Sequence, residues 1–401
     1  MSRGTRFDAV VVGGRAVGAA SALALAAGGR RVALVDRSRP ESGRDDAPLD
    51  PRVVAVSPGS RRLLEALGAW DHVRTERIAP YTEMRVLAGA GEVRFRAAEH
   101  GLTALGWIVE LAELDTALWQ SVEAVRRVES VAPADVARIA IDGDARVELA
   151  DGAALAAGLL IGADGANSRV RAAAGIDAIS HYYNQRAIVA HLDSERPNPG
   201  TAWQRFTDLG PMALLPLPGG RSSLVWSVPE SDARRLLAMS DETFIEALAE
   251  HGRDLPFGAC TAATRRHALP LVRRQSRPLA AGRVALVGDA ARSVHPLAGQ
   301  GLNLGLGDVA ALVDALADVR PGDDPDRALA RYARRRYSDS VLVAGGIHAI
   351  NEARSLGGLG PVALGAGFAA MRIARPARDL FVRRACGLDE VDRAVKWLAE
   401  R

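Results

Sequence analysis

Three clusters of glycine and aspartate hold the residues best placed to do chemistry. The first, Gly13-Gly14-Arg15-Ala16-Val17-Gly18, joins an apolar run to an Ala/Leu-rich stretch. In a strand–turn–helix that binds a dinucleotide, the first glycine makes the tight turn and the last lets the helix pack on the sheet. The middle one lets the backbone approach a pyrophosphate at the helix N-terminus. Here Arg15 holds the middle position, where a guanidinium either crowds a phosphate or pairs with it. Asp36 ends the next apolar run, where a carboxylate takes a pair of ribose hydroxyls. The second cluster is Gly162-Ala163-Asp164-Gly165. The third opens with Gly288-Asp289 and continues through His295-Pro296 to Gly299-Gln300-Gly301. A strand-tip aspartate offers its carboxylate to a sugar hydroxyl. Glycines ahead of a helix N-terminus leave room for a flat ring and offer it N–H donors. Taken singly, the second and third clusters are as readily plain Asp turns; a ligand-free glycine turn competes less well at the first, because strand, helix and Asp36 fall in order.

Other candidates are weaker. His295 could serve acid–base chemistry, or only position its loop. Trp203 and Trp226, on β-type segments, could line a cavity or pack in a core. Arg221, beside Gly219-Gly220, reads as a solvated turn. Cys260 and Cys386 lie far apart with no CxxC and no histidine pair, which argues against a zinc or iron–sulfur site and excludes a disulfide framework. No Ser-His-Asp set or carboxylate pair stands out.

The elements that must position these residues follow from apolar periodicity. Phe7–Val12 and Arg31–Val35 read as buried parallel strands around a Val17–Ala27 helix, one βαβ unit. Ser60–Leu67 and Asp115–Val128 read as helices, and Met84–Arg96 as a hairpin around Gly89–Gly91. Arg146–Leu149 and Ala154–Ile161 are strands joined at Asp151-Gly152. Residues 181–275 are strand-rich (Ala187–Leu192, Thr201–Thr207, Met212–Pro216 and Ser222–Ser227), with a helix at Asp241–Glu250. Val284–Val287 is a further strand, Leu302–Leu316 a helix, and Arg327 onward an Arg-rich helical region broken by glycines at 355–367. The expected fold is α/β: a Rossmann-type domain in three parts (1–75, 101–180, 279–325), a β-rich substrate domain (hairpin 76–100, then 181–278), and a helical C-terminal region, 326–401.

Composition narrows the function classes. The 401 residues hold 51 basic and 48 acidic side chains, a formal net charge of +3, which gives no electrostatic case for nucleic acid. Lys396 is the single lysine, so the basic side chains are otherwise arginine. Arg3 and Arg6 precede an apolar run, but Asp8, Arg15 and the paired glycines interrupt it, unlike a secretory signal. Ser355–Met371 is uncharged yet shorter than the about 20 apolar residues a spanning helix needs. The expected location is cytoplasmic.

The triple pattern resembles the FAD-dependent aromatic hydroxylases of the para-hydroxybenzoate hydroxylase fold. More closely, the chain resembles the ubiquinone-biosynthesis hydroxylase family, along nearly its whole length. The resemblance rests on Arg52-Val53-Val54-Ala55-Val56-Ser57, Leu105-Gly106-Trp107-Ile108-Val109-Glu110, Trp203-Gln204-Arg205-Phe206 and above all the 288–305 run. It implies that Gly13, Gly14, Gly18 and Asp36 hold the ADP half of FAD, with Arg52 near its phosphates. It places Asp289 by the ribityl chain, Pro296 by the flavin ring, and Gly299, Gln300 and Gly301 at the pyrimidine edge. Asp164 and Gly165 would serve FAD or reduced nicotinamide. Three positions depart from the family pattern: Arg15 for a glycine, Arg292 for a histidine, and Leu111-Ala112 for an Asn-Arg pair.

The chemistry implied is hydroxylation of an aromatic ring through a flavin hydroperoxide, with NAD(P)H as transient reductant and O2 as co-substrate; only one nucleotide fingerprint is present. The implied substrate is a polyprenylated phenol, met at a membrane surface or in a biosynthetic assembly. Ser355–Met371 with the following arginines, Arg372, Arg375 and Arg378 among them, could dock on the inner face of a membrane or pack on the FAD domain. Competing readings are a hydroxylase of a soluble phenol and a non-catalytic flavin binder disabled by Arg15. A flavin halogenase would need an active-site lysine, and Lys396 lies at the far C-terminus.

Overall fold

A computed structural model describes residues 5–41, 48–89, 91–252, 255–294, 300–338 and 375–401. Its organising element is an eight-stranded sheet. Thr5–Val12 lies at its centre between Val32–Val35 and Ala154–Gly162, all parallel. Val284–Leu286 extends one side and Val128–Val131 the other, again parallel. The central runs are Val, Ala, Leu and Ile because both faces are covered; Val10, Val11, Leu34 and Leu160 have no exposed surface. Register aligns the carboxyl ends of these strands. Val12 stands opposite both Val35 and Gly162, and Gly162 opposite Leu286. All three glycine–acid clusters therefore leave one edge of one sheet, where ligands of open α/β folds bind.

The helices that cover the sheet start where capping chemistry allows. α1 (Ala16–Ala27) is buried nearly all round, because α3 (Leu111–Ala124) and α7 (Gly301–Leu316) flank it where it leaves the sheet. α2 (Pro58–Ala66) opens on Ser57, whose hydroxyl accepts the Ser60 N–H, with proline at the first helical position. α4 (Arg169–Ala173) is short and capped by Ser168. α3 begins four residues before the expected Asp115 and ends at Ala124, because Val128–Val131 pairs as a strand instead. α5 (Glu230–Ala238), which the sequence reading did not place, opens after Pro229 with Glu230 and Asp232, acids that complement the helix dipole. α6 (Asp241–Gly252) follows it.

A second, nine-stranded sheet gathers strands from residues 177–277, the short strand Arg292–Ser293 and the hairpin Glu83–Ala88/Gly91–Arg96. The hairpin joins through a parallel pairing of Glu83–Ala88 with Thr201–Phe206. Strand alternation gives this sheet two different faces. One packs Ile188, Leu192, Trp203, Leu224 and Trp226 with Phe244 and Leu248 of α6. The other carries Ala187, Val189 and His191, then Ala202 and Gln204, then Ala213, Leu215, Ser223 and Val225. This face meets a three-stranded sheet (Val53–Val56, Gly106–Glu110, Ala79–Tyr81) through Leu215 and Leu217 against Val53, Ala55 and Ile108.

One buried carboxylate joins the sheet edge to the helical end of the molecule. Asp308 of α7, with no exposed surface, accepts the Gly288 N–H at 2.9 Å, Arg292 at 2.6 and 3.0 Å, and Arg336 at 2.7 Å. Arg336, on the helix spanning 326–338, also bonds the Leu304 carbonyl and Glu390. Glu390 belongs to the helix Leu388–Ala399, which packs on α2 and α7. No helix among the described residues is long and apolar enough to cross a membrane. Ser355–Met371 and Arg372 lie outside the described residues, and so do the side chains of Arg375 and Arg378.

Removing Asp308 leaves two buried guanidinium groups without their shared acid. Asp308→Ala should destabilise the fold by about 3–5 kcal/mol, the range for breaking a buried ion pair. A urea midpoint within the error of wild type would refute this.

Candidate active site

The first glycine cluster is a turn built with no room to spare. Gly13 has φ +101°, and a Cβ there would lie 2.2 Å from the Ala163 carbonyl oxygen. A Cβ on Gly14 would lie 2.7 Å from the Trp119 ring, and one on Gly18 would lie 1.8 Å from the Gly13 oxygen. Each glycine is thus required by its neighbours as well as by any ligand. Asp36 accepts the Gly14 N–H at 2.5 Å and the Ser38 N–H at 2.9 Å, one bond on each oxygen, which leaves lone pairs for hydroxyl donors. The Trp119 indole N–H closes the turn on the Gly14 carbonyl at 2.6 Å.

Arg15 projects from this turn with its side chain largely exposed, and it does not stand alone. Its guanidinium bonds Asp115 Oδ2 at 2.9 Å, while Asp115 Oδ1 accepts the Ala16 N–H at 2.7 Å. Asp115 is 1% exposed, and burial raises its carboxyl above the ordinary range against the pull of Arg15, the Ala16 N–H and Arg52. Arg52, half exposed, lies within electrostatic reach of the same carboxylate and 3.7 Å from Asp50. Sequence reasoning singled out Arg15 but missed Asp115, which sits inside an amphipathic helix with no motif around it. The available signal was the arginine itself, since a guanidinium intruding on a glycine turn needs a partner.

The other two clusters play different parts. Gly288 (φ +57°) and Gly305 both close on Val17, so the third cluster lies against the start of α1. Asp289 faces outward at the strand tip, yet surrounding protein raises its carboxyl against the attraction of Arg292. Gln300 and Gly301 open α7, and a Cβ on Gly301 would meet open space. His295, Pro296 and Gly299 lie outside the described residues. Asp164, half-buried, accepts from the Ser168 hydroxyl and from the N–H groups of Arg169 and Val170, so that it also caps the start of α4. Gly165 remains an open turn at φ +79°.

The two tryptophans point away from the cluster. Trp203 and Trp226 are 2% and 0% exposed and pack with α6, so the core alternative describes both and the cavity-lining one neither. On the opposite face of the same sheet, His191 Nε2 and Ser223 Oγ are buried without hydrogen-bond partners, and the two residues are directly opposed across the ladder. Burial, aided by Arg221, lowers His191 to about 4, so the ring is neutral at ordinary pH. Sequence reasoning missed both, because an unpaired polar atom leaves no mark in the sequence.

Three motifs at one edge of a doubly covered parallel sheet define a flavin-binding oxidoreductase of the α/β class. Residues 6–341 match the family model described as FAD binding domain. The chain is 37% identical over 350 residues to 3-demethoxyubiquinol 3-hydroxylase of Escherichia coli K12, covering 85% of this chain and 88% of that protein. It is 35% identical over 387 residues to ubiquinone hydroxylase UbiL of Rhodospirillum rubrum, covering 95% and 89%. The chain belongs to the FAD-dependent monooxygenases of the ubiquinone-biosynthesis hydroxylase family. Its fold is also that of Klebsiella pneumoniae HpxO, solved with FAD and uric acid, at TM-score 0.71 and 20% identity over 96% of each chain. Pseudomonas aeruginosa PqsL matches at TM-score 0.72 and 24% identity, over 87% of this chain and 95% of that one.

The residues fit FAD. The glycines let the turn close tightly at the N-terminus of α1, Asp36 keeps free lone pairs, and Asp289 and Gly301 face open space. Asp289→Ala should therefore weaken FAD by roughly 10- to 150-fold, the worth of a charged hydrogen bond, and yield largely colourless protein with unchanged circular dichroism. Full flavin occupancy in that variant would remove Asp289 from the site.

His191 makes a separate prediction about stability. Its folded value of about 4 lies below the unfolded 6.5, so between these the unfolded chain binds a proton that the folded chain does not. The stability this gives is fully present above about pH 6.5 and lost as pH falls towards about 4, amounting to about 1–3 kcal/mol. His191→Gln should lose less of its urea midpoint than wild type over that interval; an equal loss would show that His191 is not the group responsible.

Proposed function

We propose that this enzyme hydroxylates the aromatic ring of a polyprenylated ubiquinone precursor, working at the cytoplasmic face of a membrane or within a biosynthetic assembly there. The observation that carries the reading is a sheet-edge FAD site in a chain that matches named ubiquinone hydroxylases over most of its length. Bound FAD supplies the redox chemistry, passing two electrons from NAD(P)H to O2 so that one oxygen atom enters the ring and the other leaves as water. The balance is NAD(P)H, a proton, O2 and the arene in; NAD(P)+, water and the phenol out.

The chain's own residues bind, orient and keep the site dry. Ala187, Val189, Ala202, Ala213 and Val225 make a flat, apolar wall suited to a ring, and no ionised side chain interrupts it. His191 and Ser223, both neutral and both lacking partners, suit a ring oxygen that needs one hydrogen bond without a charge. A polyprenyl tail is too apolar to travel through water, which favours loading from a lipid surface.

Quinone analysis of a strain lacking this gene tests the assignment. The mature ubiquinone should fall to a small fraction of its normal level, and a polyprenylated precursor lacking one ring hydroxyl should accumulate until the gene is restored. A normal quinone profile would overturn it, and NAD(P)H-dependent hydroxylation of a soluble phenol by the purified protein would then identify the alternative.

A further inference from the structure

The N-terminus of α1 is where the pyrophosphate of FAD is expected, and the protein already places an anion of its own there. Asp115 accepts the Ala16 N–H at 2.7 Å and holds Arg15 at 2.9 Å. A phosphate entering this turn would need the same N–H group, the same positive end of the helix dipole and the same guanidinium. Asp115 is 1% exposed, so its carboxylate has no water shell to retreat into.

We propose that Arg15 and Asp115 form a proton-linked clasp for the FAD pyrophosphate. Without cofactor, the Asp115 carboxylate caps α1 and holds Arg15. As the pyrophosphate arrives, Arg15 turns from the carboxylate to a phosphate oxygen, and Asp115 takes one proton from solvent. The protonated acid then donates a hydrogen bond to the phosphate in place of repelling it.

The charges around Asp115 support this direction. Arg15 reaches it from the turn before α1 and Arg52 from the segment before Val53–Val56; Asp36 and Asp50 act on Arg15 from the other side. Glu110 and Glu113, at the start of the same helix, are occupied by Arg77 and Arg74. Moving Arg15 onto phosphate removes the nearest cation from Asp115 and adds negative charge beside it. Both changes raise the proton affinity of a carboxyl that burial has already raised. Binding that takes up a proton weakens as pH rises, by up to tenfold per unit between the carboxyl's free and loaded values.

The test is FAD titration of the full chain stripped of flavin, followed by flavin fluorescence from about pH 5.5 to about 8.5, with proton uptake measured calorimetrically in buffers of different ionisation enthalpy. In wild type the dissociation constant should rise at least about tenfold over this range, with close to one proton taken up per FAD. Asp115→Asn keeps an oxygen for the Ala16 N–H. It should bind FAD about tenfold more tightly at the alkaline end, with no pH slope and no proton uptake. Arg15→Gln, at a mostly exposed side chain, should weaken FAD about tenfold and decides the matter should Asp115→Asn fail to fold. A flat wild-type profile overturns the clasp. So does an Asp115→Asn protein that folds and binds FAD more weakly than wild type at every pH, since Asp115 would then be a fixed support for Arg15. An Arg15→Gln protein with undiminished affinity overturns it as well.

Discussion

Asp308 is the point through which the cofactor edge and the helical end of the molecule are held together. A single carboxylate with no exposed surface takes the N–H of Gly288 and the guanidinium groups of Arg292 and Arg336. The geometry of the third glycine cluster, the position of α7 and the docking of the last helix through Glu390 all depend on it. Burying two cations and an acid costs several kcal/mol per ion in desolvation, so a well-packed apolar trio could be as stable. What the apolar trio could not do is fix the Gly288 N–H and therefore the direction in which Asp289 leaves the strand. The cluster is better understood as a positioning device than as a source of stability.

A second constraint is the division of labour between the two faces of the nine-stranded sheet. Bulk is confined to the face under α5 and α6, where Trp203, Trp226 and Phe244 fill the space between sheet and helices. The face toward the three-stranded sheet carries mostly small residues, with Gln204, Leu215 and the partnerless His191 Nε2 and Ser223 Oγ among them. The same alternation that builds an ordinary strand thus puts bulky side chains on one side and small ones on the other.

The fold was legible where periodicity and punctuation agree. Phe7–Val12, the Gly13–Gly18 turn, Asp36, Ala154–Ile161 and Val284–Val287 could each be placed, because apolar runs ending in glycine and acid have few other uses. The limits of α3 were not legible, since Leu111 and Ala112 carry no stop signal and Val128 reads equally well as helix or strand. Tryptophan left two readings open, because an aromatic on a strand looks the same whichever face it occupies. Asp164 stays open for a related reason: an Asp-Gly turn that caps a helix and one that meets a ligand share a sequence. The partners that organise the site, Asp115 to Arg15 and Asp308 to Arg292, lie far apart in the chain, and only the fold reveals such pairs.

Those two pairs share a logic. In a chain with one lysine and abundant arginine, guanidinium groups stand at Arg15 and Arg292, two of the positions where the sequence departs from the pattern its family resemblance implies. Either intrusion alone would place an unpaired cation where the fold needs a tight turn. In both places a nearly fully buried aspartate accepts the guanidinium and, with its remaining capacity, a backbone N–H of the adjacent glycine-cluster segment: Ala16 in one case, Gly288 in the other. A carboxylate can do both because its two oxygens offer about four acceptor positions. Each arginine is therefore tied to the turn beside it through a buried acid. Arginine is tolerated at the edge of the cofactor site for the reason that makes it costly elsewhere: its charge is permanent, so it can hold a buried acid in place whenever no phosphate is present.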